Sequence, residues 1–136
     1  MVDDLTPNSP WRKRRLAQID SRYERFLAGG FPAPALGEGE TLQCRNELDR
    51  TNWLAMLGMC VEAEAIGLGD EPIPIGFRAT SNRSFVVSFS EASLILRALR
   101  AWAAVAQANW WRMKDLVRSA ETRADLDAID LDAGWP

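Results

Sequence analysis

The fold is decided by residues 90–120, which read SEASLILRALRAWAAVAQANWWRMKDLVRSA. This stretch contains no glycine or proline, and its apolar residues recur at the three- and four-residue spacing of one helix face. The stripe comprises Ile95, Leu99, Trp102, Ala106, Met113, Leu116 and Val117. Such a helix is roughly 45 Å long at ~1.5 Å per residue. Because one small core needs less than this length, we expect part of the helix to be exposed.

The residues around this stretch predict where the helices begin. Ser90 can cap the long helix alone, or Ser88 can cap it together with Glu91, three residues later, as a capping box. Thr122 is a second capping residue. It predicts a short helix that holds Leu126 and Ile129.

Upstream of residue 90, helical and alternating patterns follow one another. The periodicity predicts an N-terminal helix over 11–28, a short strand over 41–45 and a helix from about 46 to 66 that Asn46 caps. Two further strands, over 77–79 and 84–89, predict a β-hairpin. The predicted fold class is therefore α+β and helix-dominated.

The distribution of proline and glycine predicts the division of the chain. Residues 1–30 are predicted to form a flexible arm, which ends at residue 10, followed by an N-terminal attachment helix. Residues 31–40 form a linker because prolines and glycines block regular structure there. Residues 41–136 form a compact helical domain with a small β-hairpin.

Composition and charge limit the function. The net charge of -3 and the pI of about 5.0 argue against nucleic acid as a partner. The one cationic cluster, residues 12–15, is read as a solvated helix start. Two cysteines and no hydrophobic leader indicate synthesis in the cytoplasm, and no apolar run reaches the ~18 residues of a membrane span.

Catalytic chemistry has little support in the residue types. The chain has no histidine, which removes the commonest general base and metal ligand. Cys60 lies on an apolar stripe, so we expect a buried side chain instead of a reactive thiol. The sequence therefore predicts no catalytic residues, no metal site and no cofactor.

Aromatic residues are the candidates for binding a partner. Adjacent Trp110 and Trp111 point about 100° apart on a helix, so at least one leaves the apolar stripe. One alternative is that they form a contact surface for a partner. The other is that both are packed, with Trp110 under the first helix and Trp111 under the tail. The closing Gly134-Trp135-Pro136 either folds back through its indole or waits for a partner. The predicted partner-binding residues are Trp11, Tyr23, Phe26, Trp110, Trp111 and Trp135.

Three phrases occur in a recognisable order. They are LQCR at 42–45 with DRTN at 49–52, FRATSNR at 77–83 before a Ser-capped helix, and LDAID at 126–130 with GWP at 134–136. With them, residues 42–136 resemble an uncharacterised domain family found in tail proteins of tailed bacteriophages and prophages. The resemblance implies a tail-fibre-linked or fibre-assembly module, with residues 1–30 as its attachment part and no catalytic residues to carry over.

The leading hypothesis is a tail-associated structural protein of the virion, made in the host bacterial cytoplasm. It binds other phage tail proteins of the baseplate or fibre through the 11–27 helix and the exposed part of 90–120, and it forms a homo-oligomer. A second hypothesis is a tail-fibre assembly chaperone that acts in the infected cell. A small enzyme is the third, and no set of nucleophile, base and orienting residue supports it.

Overall fold

The computed structural model describes residues 5–136. Within this range the chain forms α1 (Pro10–Ala28), β1 (Phe31–Pro32), β2 (Thr41–Leu42), α2 (Glu47–Ala65), β3 (Phe77–Arg78), β4 (Ser84–Phe85), α3 (Phe89–Ser119) and α4 (Arg123–Asp127). The strands pair antiparallel, β1 with β2 and β3 with β4. The predicted helix-dominated α+β class, including the β-hairpin, is confirmed.

The predicted helix starts are confirmed by their caps. The Asn46 side chain accepts a hydrogen bond from the backbone N–H of Asp49 at the start of α2. Thr122 and Asp125 form a reciprocal capping box at the start of α4. Of the two predicted starts of α3, the structure has the earlier one, because Ser88 Oγ accepts from the backbone N–H of Glu91 at 3.1 Å.

The predicted linker contains a short strand, although no regular structure was expected there. β1 lies inside 31–40, where Phe31 pairs with Leu42 and Pro32 with Thr41. Proline is tolerated because each sheet here has two strands, so both strands are edges that need no second row of hydrogen bonds. The expectation that prolines and glycines exclude a strand from this segment is therefore wrong.

The chain splits into two compact units. Unit 1 joins residues 5–26 to Ala104–Pro136, and unit 2 is Leu27–Ala103, so this division does not coincide with the predicted boundaries at 30 and 40. Each unit has its own apolar cluster. The unit 2 cluster includes Leu42, Cys60, Phe77, Leu96 and Leu99. The unit 1 cluster includes Ile19, Met113, Val117, Leu126 and Ile129. The length of α3 is thereby explained, because this helix supplies buried residues to both clusters.

The described end of the predicted arm packs on unit 1. Leu5 is partly buried against the unit 1 cluster, and Ser9 is buried. Ser9 Oγ accepts from the backbone N–H of Arg12, and Pro10 begins α1, where its missing N–H is not needed. Residues 1–4, which belong to the predicted flexible arm, lie outside the described residues.

The basic helix start is not simply solvated. Arg12 donates to the carbonyl oxygens of Leu5, Thr6, Val117 and Ala120. Arg15 donates to the carbonyl oxygens of Leu126 and Ile129. The last carbonyls of a helix have no partner within the helix, and a planar guanidinium can satisfy several at once. The predicted solvated role is therefore wrong for Arg12 and Arg15.

Truncation of Trp102 tests the unit 2 cluster. Its half-buried ring meets Phe31 edge to face with centroids 5.5 Å apart. We expect Trp102→Ala to lower the free energy of unfolding by about 2–4 kcal/mol, just below the usual loss for a fully buried tryptophan. Urea unfolding followed by circular dichroism measures the loss. Trp111→Ala on the same helix is the matched control and should cost less than about 1 kcal/mol. Equal losses would contradict the packing of Trp102.

Replacement of Arg12 tests the contacts to the carbonyls. Arg12→Lys keeps the charge, but one ammonium cannot reach all four oxygens, so we expect a loss of about 1–3 kcal/mol in the free energy of unfolding. The same urea titration measures it. Arg25→Lys, an exposed arginine in the last turn of α1, is the control and should change stability by less than about 0.5 kcal/mol. A loss shared by both variants would show that helix propensity, and not the carbonyl contacts, is being measured.

Candidate functional site

Four of the six predicted partner-binding residues contact one another in unit 1. α1 supplies Tyr23 and Phe26, α3 supplies Trp110, and the C-terminal tail supplies Trp135. The Tyr23 and Trp110 rings are nearly parallel with centroids 4.8 Å apart, and the Phe26 and Trp135 centroids are 5.1 Å apart. Tyr23 also stacks on Trp135 at 6.2 Å. We call these four side chains the aromatic stack.

The polar edges of the stack are bonded as well. Trp110 Nε1 donates to Asp20 Oδ1 at 2.8 Å, and the Lys114 ammonium lies 4.3 Å from the Trp110 ring centroid. Trp135 Nε1 donates to the Leu131 carbonyl oxygen at 2.8 Å. A buried indole normally satisfies its N–H in this way. Trp110 therefore packs against the first helix, and the tail folds back through its indole, which was one of the two predicted alternatives.

A buried asparagine holds the tail in place. Asn109 Nδ2 donates to the Ala133 carbonyl oxygen at 2.9 Å, and its Oδ1 accepts from the Arg112 guanidinium. Gly134 has a φ of +86°, and a Cβ at this position would overlap Asn109 Oδ1. Only glycine gives both the backbone conformation and the close approach. The closing residues Gly-Trp-Pro thus hold the tail against α3.

Trp111 points away from the aromatic stack and has 55% of its surface exposed. It lies on an open face of α3, which we call the Trp111 surface. Its lining residues are Ala108, Trp111, Arg112, Asp115, Leu116 and Ser119. Trp111 is therefore not packed under the tail, which was its other predicted position.

Leu116 was expected on the buried stripe of α3, and the structure corrects this. The leucine is 41% exposed, whereas Met113 and Val117 are fully buried. Residues 116 and 117 differ by about 100° around the helix axis, so only one of them can face the cluster. Leu116 consequently adds apolar area to the Trp111 surface.

Trp11 is the other exposed candidate, and two arginines lie close to its ring. Its side chain is 38% exposed. The guanidinium carbon of Arg14 is 5.1 Å from the ring centroid, and that of Arg123 is 3.6 Å away. Sequence reasoning missed both arginines. The three-residue spacing of Trp11 and Arg14 on a helix could have indicated the first, but no sequence signal connects residue 123 to residue 11.

Both cysteines are buried in unit 2. Burial raises the pKa of the Cys44 thiol to about 11, and burial followed by the nearby charge of Glu64 raises that of Cys60. Both thiols are therefore protonated at neutral pH, and the predicted burial of Cys60 is confirmed. Within residues 5–136, no three His, Cys, Asp or Glu side chains are grouped so that they could hold a metal ion. In the same range, no helix combines the length and the apolar character that crossing a membrane requires.

Comparison with known protein families gives a match over most of the chain. Residues 11–131 match the family described as a domain of unknown function, DUF4376. Comparison with curated proteins and with solved structures finds no match. The matched range begins at Trp11, so it includes nearly all of α1 as well as α2, α3 and α4. The chain belongs to the DUF4376 family.

Proposed function

We propose that the chain is a non-catalytic structural protein of a bacteriophage tail that binds other tail components of the baseplate or fibre. The observation that carries the proposal is the Trp111 surface, where an indole that is 55% exposed and a leucine that is 41% exposed lie on one open helix face. Tryptophan is among the commonest anchors of protein interfaces. The resemblance of three sequence phrases to tail proteins supports other tail proteins as the partners.

The chemistry of the Trp111 surface suits a protein partner. Its centre is apolar, with Trp111 and Leu116 beside the small side chain of Ala108. Its rim is charged, because Asp115 forms an ion pair with Arg118 at 2.7 Å. An apolar centre inside a polar rim is the usual anatomy of a protein interface.

The other candidates contribute differently to the proposal. The rings of the aromatic stack contact one another, so a partner could reach their faces only by displacing the tail. The proposal therefore relies on the two exposed indoles, Trp111 and Trp11. Packing of α1 against α3 through the stack keeps Trp111 directed outward.

Self-association is the first test. We expect the purified chain to form a defined homo-oligomer in size-exclusion chromatography with light scattering. Leu116→Ser should shift the mass toward the monomer, because it removes apolar area from the Trp111 surface. Leu54→Ser on α2, where the leucine is 47% exposed, is the matched control and should leave the mass unchanged. A monomeric wild-type chain would remove the homo-oligomer from the proposal.

Incorporation into particles tests the proposed function itself. We expect quantitative mass spectrometry of purified phage particles to find the chain at a fixed copy number. Trp111→Ala should lower that number severalfold, because hot-spot truncation usually weakens binding by ~2 kcal/mol or more. Leu54→Ser should have no effect. A chain that is abundant in infected cells but missing from particles would contradict a structural role and would favour the fibre-assembly chaperone.

A further inference from the structure

A pocket next to Trp11 combines an aromatic face with several cations. Its volume is about 210 Å³, and we call it the Trp11 pocket. The lining residues are Trp11, Arg14, Arg15, Gln18, Arg123, Leu126 and Asp127. All of them belong to unit 1. The lining includes three guanidinium groups and one carboxylate, in a chain whose net charge is -3.

The arginines of the pocket are held by different contacts. The Arg15 guanidinium is held by hydrogen bonds, because it donates to Gln18 Oε1 and to the carbonyl oxygens of Leu126 and Ile129. Arg14 is held only by its position over the Trp11 ring, and within residues 5–136 its guanidinium makes no hydrogen bond or ion pair. A guanidinium over a ring keeps its N–H groups available in its own plane. Arg14 can therefore donate to a ligand without breaking a contact.

The size of the pocket limits what it can hold. Small-molecule and cofactor sites usually have ~300–1,000 Å³, which is more than the volume here. A single side chain fits this pocket better. Arginine forks match carboxylates, and the apolar stem of an acidic side chain can lie against Trp11 and Leu126. The negative net charge of the chain disfavours a nucleic acid, whose binding needs many phosphate contacts.

We infer that the Trp11 pocket binds the carboxylate of an aspartate or glutamate in an acidic segment of a partner protein. This inference rests on the proposed function for the nature of the partner. Arg14 is the main donor to the carboxylate, the Arg123 guanidinium lies 3.6 Å from the Trp11 ring centroid, and the exposed part of Trp11 provides the surface for the stem of the side chain.

Fluorine NMR on chain labelled with fluorotryptophan tests the inference directly. Trp11→Phe assigns the Trp11 resonance, and the Trp111 resonance serves as an internal reference. A blocked oligoglutamate peptide at physiological ionic strength should shift the Trp11 resonance saturably, whereas oligoglutamine of the same length should not. Arg14→Gln should weaken binding about tenfold, the usual effect of losing a hydrogen bond to a charged group. Arg25→Gln removes the same charge elsewhere on α1 and should weaken binding less than twofold. Thermal melts of both variants check that they fold.

Three results would overturn the inference. Equal weakening by Arg14→Gln and Arg25→Gln would show a response to net charge alone. An identical saturable shift with inorganic phosphate would show a site for free anions, and tighter binding of a duplex oligonucleotide would show a nucleic-acid site. The titration uses the purified chain only. If the peptide does not bind, the particle measurement is unaffected. If the chain is absent from particles, the titration result still stands.

Discussion

The structure of unit 1 depends on the hydrogen bonds from Arg12 to backbone carbonyl oxygens. The end of a helix exposes carbonyls without partners, and burying them unpaired is costly. Arg12 donates to those of Val117 and Ala120 at the end of α3, and Arg15, three residues later, donates to those of Leu126 in α4 and Ile129 after it. The oxygens of Val117 and Leu126 also accept backbone N–H groups. Two arginines on one face of α1 thereby join three parts of the chain beside the cluster of Ile19 and Met113.

The same packing separates the roles of two adjacent tryptophans. Trp110 stacks on Tyr23 and bonds to Asp20, which fixes the rotation of α3 relative to α1. Trp111 is then directed to solvent because neighbouring helix residues lie about 100° apart. The docking of the tail through Gly134 and Trp135 reinforces this arrangement. An exposed indole next to a well-packed one is hence a consequence of sequence adjacency, and tertiary packing decides which of the two is exposed.

The sequence predicted what depends on local physics. Helix starts at Asn46, Ser88 and Thr122 were predictable because a cap is satisfied within three residues. The carbonyl contacts of Arg12 were not, because they join residues more than a hundred positions apart. For the candidate site, the adjacency of two tryptophans predicted an exposed indole but not which one. Nothing in the sequence placed Arg123 at Trp11, since that contact depends on how the segment after α3 returns to α1.

The two exposed indoles of unit 1 differ in the kind of selectivity that they can provide. Apolar burial at the Trp111 surface is non-directional, so it contributes affinity for any partner of suitable shape. In the proposed binding, the Trp11 pocket would discriminate by charge, because a basic partner would meet the guanidinium groups of its lining at short range. A chain with net charge -3 repels acidic partners at long range, and a local cationic pocket reverses this only where the partner aligns correctly. Under the proposal, affinity and orientation would thus reside on separate tryptophans.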